Sequence, residues 1–320
     1  PAYGARFLLA KTEIIDEEIE QEEDNFVAAL EWGEVLGAQV ASSSLGYIDW
    51  YSYCDMDGNT AVTTRAVDIA VSLGVVCVTA AGNQGAESPP ENPCDTLTHY
   101  IMAPADADSV ISVGAVNGSG TIAHFSSRGP TFDDRIKPEV CAKGVATACA
   151  SPADSVSYTF KSGTSLSTPL VAGAAAVILS AHPDWAPMDV RKALIMTASR
   201  ADSADNEYGY GVVDVWAAIN FDPSAVELPS TLPSGFWLSQ NYPNPFNVST
   251  GIAYDIPRSG RVSLAIFDLL GKQVETLVNG ETPAGRYSVQ WDGSRFSSGI
   301  YFAHLNAGDF SETRKLILLK

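Results

Sequence analysis

Positive charge is scarce in this chain. Lys and Arg total 19 against 38 Asp and Glu, a formal net charge of −19. That balance excludes nucleic acid and anionic membrane surfaces as partners, because both need clustered cations to neutralise phosphates. Apolar runs are short, and none reaches the length expected of a membrane-spanning helix. A secretory leader is missing too, but the chain opens at Pro1 rather than Met. The expectation is therefore that an N-terminal stretch is absent from the sequence. Cysteine is limited to five residues, none at zinc-site spacing, so no metal is assigned. Cys77 lies in an apolar run and reads as a buried thiol. Cys54 and Cys94 sit in polar loops and can pair if the protein is exported; Cys141 and Cys149 are a second candidate pair.

What is present divides the 320 residues into about two domains. Residues 1–222 alternate apolar, β-branched runs with helical patterns. Strands are expected at Arg6–Lys11, Gln39–Ser43, Gly74–Ala80 and Val110–Val116. Several are apolar without alternation, as when both faces of a parallel strand are covered. Phe26, Ala29, Leu30, Gly33 and Leu36 keep a helical period with Asp24 as the expected cap, and Thr60–Leu73 repeats the pattern. The fold class implied is α/β, a doubly wound, mostly parallel sheet. Glu13–Asp24 is densely acidic and reads as a solvated loop or helix lead-in, with a cation site as the lesser alternative. Asp222–Gly235 holds Pro223, Pro229 and Pro233 and marks a linker, placed at 223–237.

Beyond the linker, 238–320, the helical period disappears. Short alternating segments take over at Gly251–Ile256, Arg261–Phe267, Arg286–Trp291, Gly299–Leu305 and Thr313–Leu319. Turn signals separate them, among them Leu270-Gly271-Lys272, Pro283-Ala284-Gly285 and Asp292-Gly293. The expectation is a small all-β, immunoglobulin-like sandwich.

Three segments of the first domain carry chemistry. Gly163-Thr164-Ser165-Leu166-Ser167-Thr168-Pro169 places a serine at a Gly-led turn before a small, apolar helix. A serine hydroxyl needs a base to take its proton and donors to hold the oxyanion it creates. A helix N-terminus offers unpaired N–H groups and partial positive charge at that spot. By itself the run reads equally well as a Ser/Thr cap on a core helix. Ala80-Ala81-Gly82-Asn83 ends an apolar strand, and ligands in open α/β sheets sit beyond such ends. The Asn83 amide can donate to an oxyanion there; a turn asparagine is the plainer reading. Ser44-Leu45-Gly46 ends another strand, where free backbone groups can pair an extended peptide.

Together these segments resemble the subtilisin-like serine proteases, over roughly Pro1 to Asn220. Gly-Thr-Ser-x-Ser-x-Pro matches the family's nucleophile motif at Ser165. Phe125-Ser126-Ser127-Arg128-Gly129-Pro130, Ile136-Lys137-Pro138-Glu139-Val140 and Tyr208-Gly209-Tyr210-Gly211-Val212-Val213-Asp214 follow in the family's order. The resemblance implies a serine endopeptidase working through an acyl-enzyme on Ser165, with Asn83 as oxyanion donor. It implies substrate binding by Ser44, Leu45, Gly46, Ala80, Ala81, Gly82 and Thr164, the three small residues at 80–82 leaving an open primary pocket. Protein or peptide substrates are the implied partners. No cofactor is assigned; calcium is common in the family, but no ligands can be named. Leu170 stands where many members carry a non-catalytic His. The family's catalytic Asp and His lie in Asp-Ser/Thr-Gly and His-Gly-Thr motifs, and this sequence contains neither. His99, His124, His182 and His304 read as surface residues. The chain alone is thus expected to be nearly inactive, a truncated record of a longer enzyme.

Leu238-Ser239-Gln240-Asn241-Tyr242-Pro243-Asn244-Pro245-Phe246-Asn247 resembles the opening of C-terminal sorting domains used by type IX secretion in Gram-negative bacteria. Gly299-Ile300-Tyr301-Phe302 and Arg314–Lys320 fit the same resemblance. It implies the secretion machinery as a partner and a secreted or cell-surface location. The rival reading of the whole chain is a non-catalytic surface protein that binds extended peptides. A shielding module, or a carbohydrate binder using Trp291 and Tyr301, are alternatives for the tail.

Overall fold

The computed structural model describes residues 2–14, 17–89, 91–92, 94, 99–224, 235–241 and 243–320. The chain divides into two compact units, Pro1–Leu228 and Pro229–Lys320. Most of the expected linker, residues 225–234, lies outside the described residues, as do Pro1 and Tyr242.

The first unit runs α1 (Gln21–Val35), β1 (Val40–Ser43), α2 (Val62–Ser72), β2 (Val76–Ala80), β3 (Ile111–Val116), β4 (Val140–Lys143), β5 (Thr147–Ala150), β6 (Tyr158–Lys161), α3 (Thr164–Ala181), α4 (Pro187–Met196) and α5 (Val215–Ile219). Strands β1 to β4 form one sheet in sequential order, every pair parallel. Alternate residues of the buried strands feed two cores. Val76, Val78, Ile111, Val113 and Val140 pack with Val171, Ala175 and Ile178 of α3 and with Leu194 of α4. Val75 and Cys77 join Phe26 of α1 and Val67 and Val71 of α2 in the second. Helices therefore cover both faces, which is why the strands read as continuous apolar runs. Helix α3 is long and apolar enough to cross a membrane by length and composition, which corrects the expectation from run length. It is instead a core helix, its small residues packed against the sheet.

Several local expectations change. Arg6–Lys11 pairs with no strand among the described residues and lies exposed, with Leu9 at 87%. A strand needs a neighbouring ladder, and among the described residues β1, at the edge of its sheet, pairs with β2. Helix α1 starts at Gln21 with Glu20 as N-cap, so Asp24 is in its first turn rather than at the cap. Glu22 and Glu23 are buried, not solvated. The antiparallel pair β5–β6 was not anticipated; its strands are short and exposed. Cys54 and Cys94 are disulfide-bonded, while Cys77, Cys141 and Cys149 are free thiols, which removes the alternative pair. Denatured without reductant, the chain should expose three thiols to a colorimetric reagent, and five after reduction.

The second unit is all β. Strands β7 (Trp237–Leu238), β8 (Ser249–Ile256) and β11 (Gly285–Asp292) make one sheet. Strands β9 (Gly260–Asp268), β10 (Gln273–Thr282), β12 (Gly299–Ala307) and β13 (Phe310–Leu318) make the other, in the order β10-β9-β12-β13. All pairings are antiparallel. Inward residues of both sheets share one core with Trp291, Phe246 and Tyr301. Trp291 and Tyr301 are thus packing residues, and no stacking surface for sugar rings remains there.

The proline-rich opening of this unit fastens β13, an edge strand. Phe246 N donates to Ile317 O and Leu319 N donates to Phe246 O, both at 2.9 Å. The Asn244 side chain accepts from Ile317 N and donates to Lys315 O, which also receives Gln240 Nε2. Asn241, buried, holds the turn itself by donating to Pro243 O and Thr250 Oγ1. The segment covers an edge that would otherwise offer open hydrogen bonds.

Candidate active site

Helix α3 begins at Gly163, whose φ of +148° is a backbone conformation that glycine alone adopts without strain. The turn puts Thr164 and Ser165 at the first two helical positions, where N–H groups have no partner inside the helix. Thr164 N spends its hydrogen on Asn83 Oδ1 at 3.0 Å, and Thr164 Oγ1 donates to the same oxygen at 3.1 Å. A carbonyl oxygen must accept both, so the orientation of the Asn83 amide is fixed. Its NH₂ points the other way, on an exposed side chain at the strand end. The Ser165 N–H belongs to the same unfilled set of donors.

Pro169 has a consequence for Ser165. It lacks the N–H that would bond the carbonyl four residues back, which is that of Ser165. Ser44 Oγ donates to this released oxygen at 3.0 Å. In return Ser165 Oγ donates to Ser44 O at 3.4 Å. The end of β1 and the start of α3 are thus locked at the serine. Ser167 Oγ and Thr168 Oγ1 donate to Thr164 O, both at 2.9 Å, and tighten the first turn.

The sequence-level site residues separate into two groups. Ser165 and Ser44 meet beyond the carboxyl end of β1, and Thr164 ties Asn83, beyond that of β2, to the same helix start. Gly46 faces Met102, whose sulfur stands 1.9 Å from where a Cβ would be, so any side chain there must displace Met102. Leu45 turns partly into the core of α1 and α2. Ala80, Ala81, Gly82 and Thr164 are closed off from solvent, with Ala81 at 0% exposure. The open pocket expected at 80–82 is not an exposed surface there. Ala81 packs with Ile101 and Ala105, and Gly82 at φ +116° leaves 2.7 Å between a would-be Cβ and Ser127 Oγ. Thr164 works behind the site: it holds Asn83, and its Oγ1 accepts from Gly82 N at 3.3 Å. That holding role escaped the sequence reading, although the Thr-Ser pair was its visible signal.

Among the described residues, no histidine, carboxylate or lysine hydrogen-bonds Ser165 Oγ. His99 meets Glu87 O, His182 meets Ile219 O and stacks on Trp185, and His304 meets Thr313. A buried charge network lies at the amino ends of β3 and β4. Glu139 joins Lys137 and Arg191, each at 2.8 Å, and accepts from Ser112 N and Oγ at 2.8 and 2.7 Å. Burial pulls the Glu139 pKa upward, but Lys137 and Arg191 outweigh it and hold the group below the ordinary carboxylate value.

A serine hydroxyl at a helix N-terminus, beside an oriented amide at a parallel-strand end, is an arrangement able to support nucleophilic attack and oxyanion binding. The sequence profile of the Subtilase family matches residues 2–211, and that of the Secretion system C-terminal sorting domain matches 240–319. Subtilisin from Bacillus pumilus is 38% identical over 192 residues, 60% of each chain. Subtilisin E from Bacillus subtilis has the same identity and is covered over 44% of its length. The solved structure of MycP1 from Mycobacterium smegmatis superposes with a TM-score of 0.51 at 26% identity, over 63% of this chain and 55% of that one. The chain belongs to the subtilase family and carries a C-terminal secretion sorting domain. It spans 60% of the first of these relatives and less than half of the second.

Proposed function

We propose that this chain supplies the nucleophile and oxyanion half of a secreted serine endopeptidase. Ser165 Oγ attacks a peptide carbonyl and carries the acyl group. Asn83 Nδ2 and the Ser165 N–H receive the oxyanion, and the backbone of Ser44–Gly46 pairs the extended substrate. The paired Thr164 donors on Asn83 Oδ1 carry this reading, because they leave a fixed, unspent amide NH₂ beside the serine. By family resemblance a histidine takes the Ser165 proton and an aspartate orients it. Neither motif that would bear them occurs in this sequence, so we read the 320-residue chain on its own as nearly without turnover. The sorting domain supports export to the medium or cell surface. Type IX secretion in a Gram-negative host, with an immunoglobulin-like form for residues 238–320, is the finer proposal.

The test is fluorophosphonate labelling of the longest natural product containing this chain, with the adduct mapped by mass spectrometry. Modification at Ser165, lost in Ser165→Ala, is expected; a labelled product without a Ser165 adduct removes the assignment. In that product Asn83→Ala should lower kcat by about 10²–10³ with KM little changed, a range carried over from the same kind of donor in a subtilisin, a relative. That no base hydrogen-bonds Ser165 among the described residues favours one second reading, a surface protein that binds peptides without cleaving them. Tight peptide binding with no labelling would select it.

A further inference from the structure

The run Glu13–Asp24 gathers charge that the site above does not use. One carboxylate oxygen from each of Glu13, Glu18 and Glu22 lies within 4.8 Å of the other two. None of the three pairs with Lys, Arg or His among the described residues. Glu22 is 1% exposed. Its Oε1 accepts from Ile14 N at 2.6 Å, while its Oε2 is buried without any hydrogen-bond partner. A buried carboxylate oxygen left unmet is costly, and facing two further carboxylates makes it more so. Neighbouring Glu23 shows the contrast. It is buried as well, but Trp50 Nε1, Tyr51 OH and Thr63 Oγ1 satisfy both its oxygens. Glu22 Oε2 has no such donors, and the carboxylates of Glu13 and Glu18 crowd the same side chain.

We propose that Glu13, Glu18 and Glu22 bind one calcium ion. Calcium is a hard cation taking oxygen ligands at about 2.4 Å, so two oxygens on one ion stand at most about 4.8 Å apart. Magnesium, at about 2.1 Å, demands near-octahedral geometry and sheds its waters reluctantly, so three crowded carboxylates suit it less well. Three carboxylates give one more negative charge than the ion carries positive. Exposed Glu18 leaves the outer side open to water, which completes the coordination shell. Glu13 Oε1 already accepts from Thr12 Oγ1 and from Tyr47 OH, at 3.1 and 3.2 Å, so its carboxylate is held in place. Bound calcium satisfies Glu22 Oε2 and ties residues 13–22 to Tyr47, the residue after Gly46.

The test is calorimetric titration of the chelator-stripped 320-residue chain with calcium chloride or magnesium chloride, with melting followed in parallel. One calcium per chain is expected, and about 5 °C or more of added melting temperature at a hundredfold excess over Kd. Glu18→Gln, at an exposed side chain, should melt like the parent in chelator yet bind calcium about tenfold or more weakly. Glu22→Gln should lose both the binding and the calcium-induced shift. No calcium response in the parent overturns the proposal. Unchanged affinity in Glu13→Gln and Glu18→Gln overturns it too, by placing the ion elsewhere. An equal response to magnesium overturns the choice of ion.

Discussion

On a good peptide substrate the isolated 320-residue chain should turn over about 10⁶-fold more slowly than an intact subtilisin, and Ser165→Ala should change the residual rate by less than about tenfold. The factor is that of a subtilisin stripped of its base, carried over from the family rather than computed from this geometry. Ser165 Oγ donates to Ser44 O, a backbone carbonyl that cannot take the proton away. Triad members act as a unit, so removing the serine from a site that already lacks its base costs little more. On the proposed assignment, what remains is the oxyanion half, Asn83 Nδ2 and the N-terminal amides of α3, worth about 10³–10⁴ over water in such enzymes. Hydrolysis of a chromogenic peptide by the chain and its Ser165→Ala variant, side by side, makes the check. Fast turnover abolished by the substitution would mean that a base within the chain reaches the serine.

Glu139→Ala should destabilise the first unit by about 3–5 kcal/mol, the usual cost of breaking a buried ion pair from one side. For a unit of this size that corresponds to roughly 10 °C in melting temperature. Lys137 is left buried with Ala107 O as its remaining partner, and Ser112 loses the acceptor of its N–H and hydroxyl. Arg191 of α4 loses its carboxylate but keeps Val110 O. Replacing Lys137 as well, as Lys137→Met/Glu139→Leu, should recover much of the loss, since a packed apolar pair needs no desolvation of charge. The pH dependence has a definite sign. The folded pKa of Glu139 is depressed, so its contribution is present above the unfolded value of 4.5 and is lost as pH falls through the lower folded value. Acid unfolding of the parent should therefore steepen below about pH 4.5, and Glu139→Ala should flatten that slope. Melting curves between pH 3 and 7, in roughly half-unit steps, measure both.

Sequence pattern reached the nucleophile because it is local. Gly163, Ser165 and Pro169 sit within seven residues, and each has its effect through backbone geometry that a pattern encodes. The parallel strands around Val76–Ala80 and Ile111–Val116 were legible for a related reason: burial on both faces leaves an unbroken apolar run. Glu139 was legible as part of the Ile136–Val140 stretch but not as a buried charge. Lys137 is two residues away, yet Ser112 and Arg191 are 27 and 52 residues away, and a network of that kind is decided by the packed fold. The acidic run misled for the same reason. Nothing near Glu22 and Glu23 in sequence announces that Tyr47, Trp50, Tyr51 and Thr63 close over them. Arg6–Lys11 failed in the opposite direction: strand propensity is present, but no ladder among the described residues receives it.

The fastening of β13 by Asn244 and Phe246 links positions more than seventy residues apart. During synthesis the opening of this unit is made first and has nothing to grip until Ile317 and Leu319 emerge. Closure is therefore timed by the last stretch of the module to leave the ribosome. A nascent or clipped chain would display its proline-rich segment unclasped.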